Sequence, residues 1–348
     1  MSSGATPPPT SWAAAERERM GVRAWQVQGV GEPGRVVRAV DLAVPTPGPG
    51  EVRLAVRVAG LGLPDALMCR DAYAIAPPRP FVPGQEVCGV VDAVGAGVDF
   101  QPGTRLMAVT NFFDGRGGLA EFAIARVESC YRVPDDMDDV AAATLRIGFG
   151  TAWIGLVRRA ALRPGEHVLV LGAAGGTGAA AVQLARALGA SVIGVAAGPE
   201  KSRFCARLGA DVVIDRWVDD VVAAVLDTTD GRGVDVVYDP VGGSAGGATV
   251  RCLAPQGRLL AVGFASGSWA DVDVWELVRR HGSLIGVYAG GLARSDNEAD
   301  HEALLAMVAS GRVHCTATEI PFATVPEALD ALAHGAVMGK LVTCVAAA

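Results

Sequence analysis

Gly172, Ala173, Ala174, Gly175, Gly176, Thr177 and Gly178 interrupt the stretch VLVLGAAGGTGAAAVQLARALGA (168–190). The stretch enters as an apolar strand, His167 to Leu171, and leaves as an alanine-rich helix former. At such a break the first N–H groups of the helix point outward at the positive end of its dipole, which suits an anion. Glycine lets that backbone approach a pyrophosphate and lets the helix pack close to the strand. The spacing fits Ala173-x-Gly175-x-x-Gly178 or Gly172-x-x-Gly175-x-x-Gly178 equally well. A glycine turn that only packs a helix on a sheet is the competing reading. The strand before, the helix after and a second strand, SVIGVAA, favour a dinucleotide.

The end of that second strand selects the cofactor. An NAD site places an Asp or Glu there for the ribose 2′-OH. Here Ala196, Ala197 and Gly198 occupy it, with Lys201 and Arg203 close behind and Arg216 after the third strand, DVVID. A small, uncharged strand end beside cations suits a 2′-phosphate, hence NADPH, with Lys201 and Arg216 as its partners. The alternative is that Lys201 and Arg203 are solvated helix charges. A charge-assisted contact of this kind contributes about 1.5–3 kcal/mol.

Two kinds of element must position these residues. From Val22 to about Leu145, short β-rich runs such as EVRLAVRVAGLGL and EVCGVVDAVGAGV alternate with Pro/Gly turns, as in an antiparallel β domain. From about Arg146 to Val287, apolar strands alternate with helix-like segments, the pattern of a doubly wound parallel sheet. The last segment, from about Ala289, holds an amphipathic helix, DHEALLAMVASG, and a final strand that reads like the first domain.

Composition bounds the function class. The chain has 348 residues, 51% hydrophobic and 19% charged, room for about two domains. Its net charge of -7 argues against nucleic-acid binding. Seven cysteines stand singly with no CxxC pair, as buried thiols in a reducing, cytoplasmic compartment would. The opening MSSGATPPPTSWAAAERERM has no long apolar core of a secretory signal and reads as a disordered tail over 1–20. No stretch reads as a clean transmembrane span, since glycines, Gln183 and Arg186 break the apolar run around Val168.

The chain resembles the zinc-independent quinone oxidoreductase (zeta-crystallin-like) branch of the medium-chain dehydrogenase/reductase superfamily. The carriers are PDALMCRDAYAIAPPRPFVPGQEVCGVVDAVGAGV, GTAWIGLVRRAALRPGEHVLVLGAAGGTGAAAVQLARALGA, VDVVYDPVGG, QGRLLAVGFASG and MGKLV, in family order and spacing after Met20. The resemblance implies an α/β fold: a GroES-like catalytic domain over 21–146 and 289–348, and an inserted Rossmann NADP-binding domain over 147–288. It implies a homodimer through an edge of the Rossmann sheet near GRLLAVGF and SLIGVY.

Zinc-dependent relatives present a Cys near GLGLPD and a His in Gly-His-Glu. Here the first holds no cysteine and the second reads Gly84-Gln85-Glu86, so three tetrahedral protein ligands are lacking and no metal is expected. The five histidines are isolated in sequence. The implied chemistry is hydride transfer from NADPH to a small-molecule acceptor, with a proton from solvent or a side chain. Tyr73 matches the proposed proton donor of related enoyl-thioester reductases; in quinone reductases the tyrosine looks more like a wall of the cleft. Arg146, a charge where relatives are mostly apolar, is a second catalytic candidate, for an anionic substrate group or a hinge ion pair. Relatives carry an Asn-Phe where Gly62 and Leu63 stand, so an amide that would bind nicotinamide or substrate is missing. By the same resemblance Thr151 lies near the nicotinamide, Val241, Gly242, Gly263 and Phe264 line the groove at strand ends, and Lys340 reaches toward the cofactor phosphates. Three readings follow: an NADPH-dependent quinone or conjugated-carbonyl reductase, an enoyl-thioester or enone reductase with Tyr73 as proton donor, and a non-catalytic NADPH-binding protein.

Overall fold

A computed structural model describes residues 21–290 and 294–345. The tail read over 1–20 lies outside the described residues. β1 (Val22–Val27) and β2 (Val37–Leu42) form an antiparallel hairpin. β3 (Glu51–Leu61), β4 (Glu86–Val94), β5 (Arg105–Val109), β6 (Phe122–Arg126) and β7 (Cys130–Arg132) pair antiparallel into one sheet. Between β3 and β4 lies a short helix, α1 (Leu63–Cys69). The alternation in β3 puts Val52, Leu54 and Val56 at 0–2% exposure, in a core with Phe81, Leu106 and Leu119.

The period then changes. β8 (His167–Val170), α2 (Gly176–Ala187), β9 (Ser191–Ala196), α3 (Pro199–Arg207), β10 (Val212–Asp215), β11 (Val234–Asp239), β12 (Leu253–Ala261), α4 (Val274–Arg280) and β13 (Ser283–Gly286) follow. The strands form a six-stranded sheet in the order β10-β9-β8-β11-β12-β13, every pair parallel. Sheets of this kind are covered on both faces, so their central strands are apolar throughout. β8 and β11 accordingly hold Val168, Leu169, Val170, Val236, Val237 and Tyr238 at 0% exposure. The strand order reverses between β8 and β11, the switch point where such sheets open a crevice at their carboxyl ends. Alanines 179, 180 and 181 on the buried face of α2 let that helix lie close to the sheet.

The chain closes with α5 (Arg294–Ala309), β14 (Ala317–Ile320), α6 (Val325–Ala333) and β15 (Lys340–Cys344). β15 pairs antiparallel with β3 and parallel with β14, so the last strands extend the first sheet. The parallel β14–β15 pair is a departure from a purely antiparallel sheet.

Between the two sheets runs a continuous helical segment, Asp139–Arg159, with π-helical turns at Leu145–Phe149 and Ile154–Arg159. By length and composition it is apolar enough to cross a membrane, which corrects the reading that no stretch reaches such a length. Here it is a core helix: Ala142, Ala143, Leu145, Ala152 and Leu156 are all within 1% of full burial.

Candidate active site

The glycine turn is built for close approach. Gly172 has φ +54, a left-handed conformation that favours glycine. A Cβ on Gly178 would stand 2.2 Å from the Gly172 carbonyl oxygen, so only glycine allows α2 to start there. Gly175 caps α2 in extended conformation. The N–H groups of Gly176, Thr177 and Gly178, in the first turn, have no partner within the helix and face outward. Ala173 is tied to β9 by its N–H to the Val195 carbonyl at 3.0 Å. Val241 and Gly242 leave β11 with both N–H groups on Asp239 Oδ1 at 2.8 Å. A Cβ on Gly172 would lie 3.1 Å from Val241 Cγ2, so the two strand ends adjoin. The first-turn amides of Thr177 and Gly178 and the cradle that a Cβ would fill fit a pyrophosphate.

The end of β9 carries the expected cations and an aromatic ring that sequence reasoning missed. Arg216 is exposed, and its N–H meets the Ala196 carbonyl at 3.0 Å, which sets it beside the strand end. Trp217 is 69% exposed and lies over Gly198, where a Cβ would meet its ring at 2.5 Å. Lys201, on α3, donates to the Gly335 carbonyl at 2.5 Å, bridging to the turn after α6.

Lys340 and Arg146 both have partners within the fold. Lys340 does lie at the glycine turn: Gly339 donates to the Ala174 carbonyl at 2.8 Å and bridges Gly175. Its ammonium, however, forms an ion pair with Glu86, whose side chain is 2% exposed. Glu86 also accepts the Ile147 N–H at 2.9 Å, so it ties β4, β15 and the connecting helix together. Arg146 likewise packs. Its guanidinium lies 4.1 Å over the Tyr131 ring and 3.3 Å from His301 Nδ1, between β7 and α5. That stack places a cation on an aromatic face. Thr151 sits half-buried on the connecting helix beyond Arg146.

Tyr73 meets the nucleotide sheet directly. Its ring stacks on Phe264 at 6.3 Å between centroids and 23° between planes. Phe264 and Gly263 follow β12, and Phe264 packs in turn on Trp269 at 4.9 Å. The loop of Tyr73 therefore meets the segment that follows the carboxyl end of β12. Burial pushes the Tyr73 phenol above the usual range, and the neighbouring Gln85 amide opposes the shift. The group is thus a neutral proton carrier at neutral pH.

Beneath Tyr73 a buried aspartate organises the floor. Asp65, 1% exposed, accepts the Gly62 N–H at 2.9 Å and the Gly84 N–H at 2.8 Å. Burial raises its carboxyl to about 6, against those two hydrogen bonds. Thr110 holds the same segment from the other side, its hydroxyl on the Gly84 carbonyl at 2.7 Å and its N–H on the Gln85 carbonyl at 2.9 Å. Gln85 is 6% exposed, and its side chain lies against the Tyr73 phenol. Among the described residues no three His, Cys, Asp or Glu side chains gather as a metal site would require. The signal for Asp65 lay in its PD dipeptide at a helix start; its reach to Gly84 had no local trace.

Residues 48–135 match the family model described as the alcohol dehydrogenase GroES-like domain, and residues 176–310 the one described as zinc-binding dehydrogenase. A quinone oxidoreductase-like protein 2 homolog of Nematostella vectensis is 36% identical over 72% of this chain and 68% of its own length. The quinone oxidoreductase of Pseudomonas syringae superimposes with a TM-score of 0.85 at 29% identity, over 93% of this chain and 99% of that one. A mycobacterial protein solved with NADPH superimposes with a TM-score of 0.83 at 29% identity, over 93% and 99%.

Proposed function

We propose a function for a chain that belongs to the zinc-independent quinone oxidoreductase branch of the medium-chain dehydrogenase/reductase superfamily: NADPH-dependent reduction of a quinone or related conjugated carbonyl. The observation that carries it is the Tyr73–Phe264 stack, which closes a cleft over the carboxyl ends of a sheet that also bears the glycine turn. The NADPH complex of a 29% identical relative supports the cofactor. When bound, NADPH supplies a hydride to an electron-poor carbon.

The chain's own residues hold and orient. The amides of Gly176, Thr177 and Gly178 would take the pyrophosphate, with Gly172, Ala173, Ala174 and Gly175 shaping the turn. Arg216 and Lys201 would take the 2′-phosphate, Lys201 by exchanging its bond to the Gly335 carbonyl. Val241, Gly242, Gly263 and Phe264 would line the groove, with Thr151 toward the nicotinamide. Tyr73 holds a proton at its hydroxyl.

A second reading, an enone or enoyl-thioester reductase, is favoured by that phenol: a carbon-centred anion must be protonated, whereas a hydroquinone anion needs no positioned donor. Tyr73→Phe separates the two. Enone reduction would fall by about 10²-fold, the usual weight of a positioned acid, and quinone reduction would hold. Equal loss on both substrates would reject the proton-donor role.

Sheet membership supports one unit over 21–146 with 289–348 and another over 147–288, since β14 and β15 join β3. The edge strand β13 leaves Leu284 48% exposed, and Trp275 and Val278 on α4 are 66% and 56% exposed. Such an apolar edge supports a homodimer. Seven free thiols, six of them buried, support a reducing, cytoplasmic setting.

A further inference from the structure

We propose that the Trp217 indole is the platform on which the adenine ring of the dinucleotide stacks. The inference rests on the cofactor reading above and adds a residue to it.

The topology sets where the base must lie. In the strand order β10-β9-β8, the glycine turn leaves β8, and the end of the next strand, β9, is where such sheets meet the adenosine ribose. The base hangs from that ribose, at the end of the dinucleotide remote from the nicotinamide. It therefore belongs by the carboxyl ends of β9 and β10, which lie in register with Ala196 beside Asp215. Trp217 is the second residue past β10.

The indole is anchored and yet uncovered. Asp215 Oδ1 accepts the Trp217 N–H at 3.1 Å and the Gly198 N–H at 2.8 Å, so one carboxylate ties the two strand ends together. The Arg216 N–H adds its bond to the Ala196 carbonyl at 3.0 Å. Gly198, at φ +82, has no side chain, and a Cβ there would stand 2.5 Å from Trp217 Cζ3 and 3.0 Å from Cε3. The six-membered ring thus rests against the backbone between β9 and α3, while 69% of the residue stays exposed. A single exposed ring needs no explanation by itself. This one is held at the strand end that meets the ribose, next to the exposed Arg216.

The surrounding side chains divide the work. Ala196, Ala197 and Gly198 carry no group that could hydrogen-bond an adenine edge. Lys201 and Arg216 are cations, suited to phosphate. The indole supplies a flat apolar face with little conformational entropy to lose. Every base has a π-face, so stacking on such a ring binds adenine without reading its hydrogen-bonding edge.

The test titrates adenosine 2′,5′-bisphosphate and ADP into the full chain by calorimetry. Both carry the base, and only the first carries the 2′-phosphate. Trp217→Ala should weaken both by the same factor, roughly tenfold. Trp217→Phe should recover most of the loss. The side chain is exposed, so neither variant opens the core. A fluorine label reports the contact itself. In protein carrying 5-fluorotryptophan, the resonance missing from Trp217→Phe should shift when adenosine 2′,5′-bisphosphate saturates the wild type. An unmoved resonance overturns the proposal, as does unchanged affinity in Trp217→Ala. A loss confined to adenosine 2′,5′-bisphosphate also overturns it, because the ring would then serve the 2′-phosphate and not the base. A wild type that binds neither NADPH nor adenosine 2′,5′-bisphosphate would instead reject the cofactor reading.

Discussion

Tyr73 and Phe264 stack at 23° between ring planes, with centroids 6.3 Å apart. One belongs to the loop after α1, the other to the segment just past β12. Removing the Phe264 ring should loosen both partners of the reaction. Phe264→Ala is expected to raise the acceptor KM and the NADPH Kd, read by nucleotide fluorescence, each several-fold. An unchanged NADPH Kd would take Phe264 off the nucleotide groove.

Cofactor choice should reside at the end of β9. Arg216→Ala is expected to weaken NADPH by about tenfold or more, following the roughly 1.5–3 kcal/mol of a charge-assisted contact, while NADH changes little. Steady-state KM values for both nucleotides check this. Lys201→Ala should act the same way. Because Lys201 also holds the Gly335 carbonyl, it should show an added loss of thermal stability that Arg216→Ala does not.

Gly178 cannot carry a side chain. Its Cβ would stand 2.2 Å from the Gly172 carbonyl oxygen and 2.9 Å from Ala173 Cα, both backbone atoms. Gly178→Ala should displace the start of α2 and abolish measurable NADPH binding in equilibrium titration. Gly165, where a Cβ would meet nothing within 4 Å, is a surface control, though its φ of +83 still strains an alanine. Gly165→Ala should lose some stability and keep the cofactor.

Much of this was legible in the sequence, and the boundary is physical. The glycine turn, the β10-to-β13 strands and the return of the last strand to the first domain follow from local spacing and from apolar runs. The partners of Lys340 and Arg146 were not legible. Glu86 lies far from Lys340 in the chain, and only folding shows that a buried carboxylate waits for that ammonium. Arg146 looked like a charge in a cleft because its neighbours Tyr131 and His301 come from other elements.

The Lys340–Glu86 pair should be structural. Lys340→Met leaves the Glu86 carboxylate buried and unpaired, a loss of about 3–5 kcal/mol for a broken buried pair. A fall in the denaturant midpoint would be the readout, and Glu86→Gln in the same chain should recover much of it. A variant with unchanged stability but weakened NADPH would return Lys340 to the phosphates.

Asp65 should titrate far from an ordinary aspartate. Its carboxyl is raised from 3.8 to about 6, chiefly by burial. Because the folded value lies above the unfolded one, the protonated form favours the native state. That contribution is complete below the unfolded value and is lost as pH rises through about 6. A carbon-13 carboxyl resonance, absent from Asp65→Asn, should move with a midpoint near 6. A midpoint near 3.8 would contradict it.

The central claim is that this cleft passes a hydride from NADPH to a conjugated acceptor. The most direct measurement is acceptor-dependent loss of NADPH absorbance by the purified protein across quinones, enones and enoyl thioesters. Turnover of at least one class, faster with NADPH than with NADH, is the predicted result. NADPH binding with no oxidation by any of the three would contradict the account.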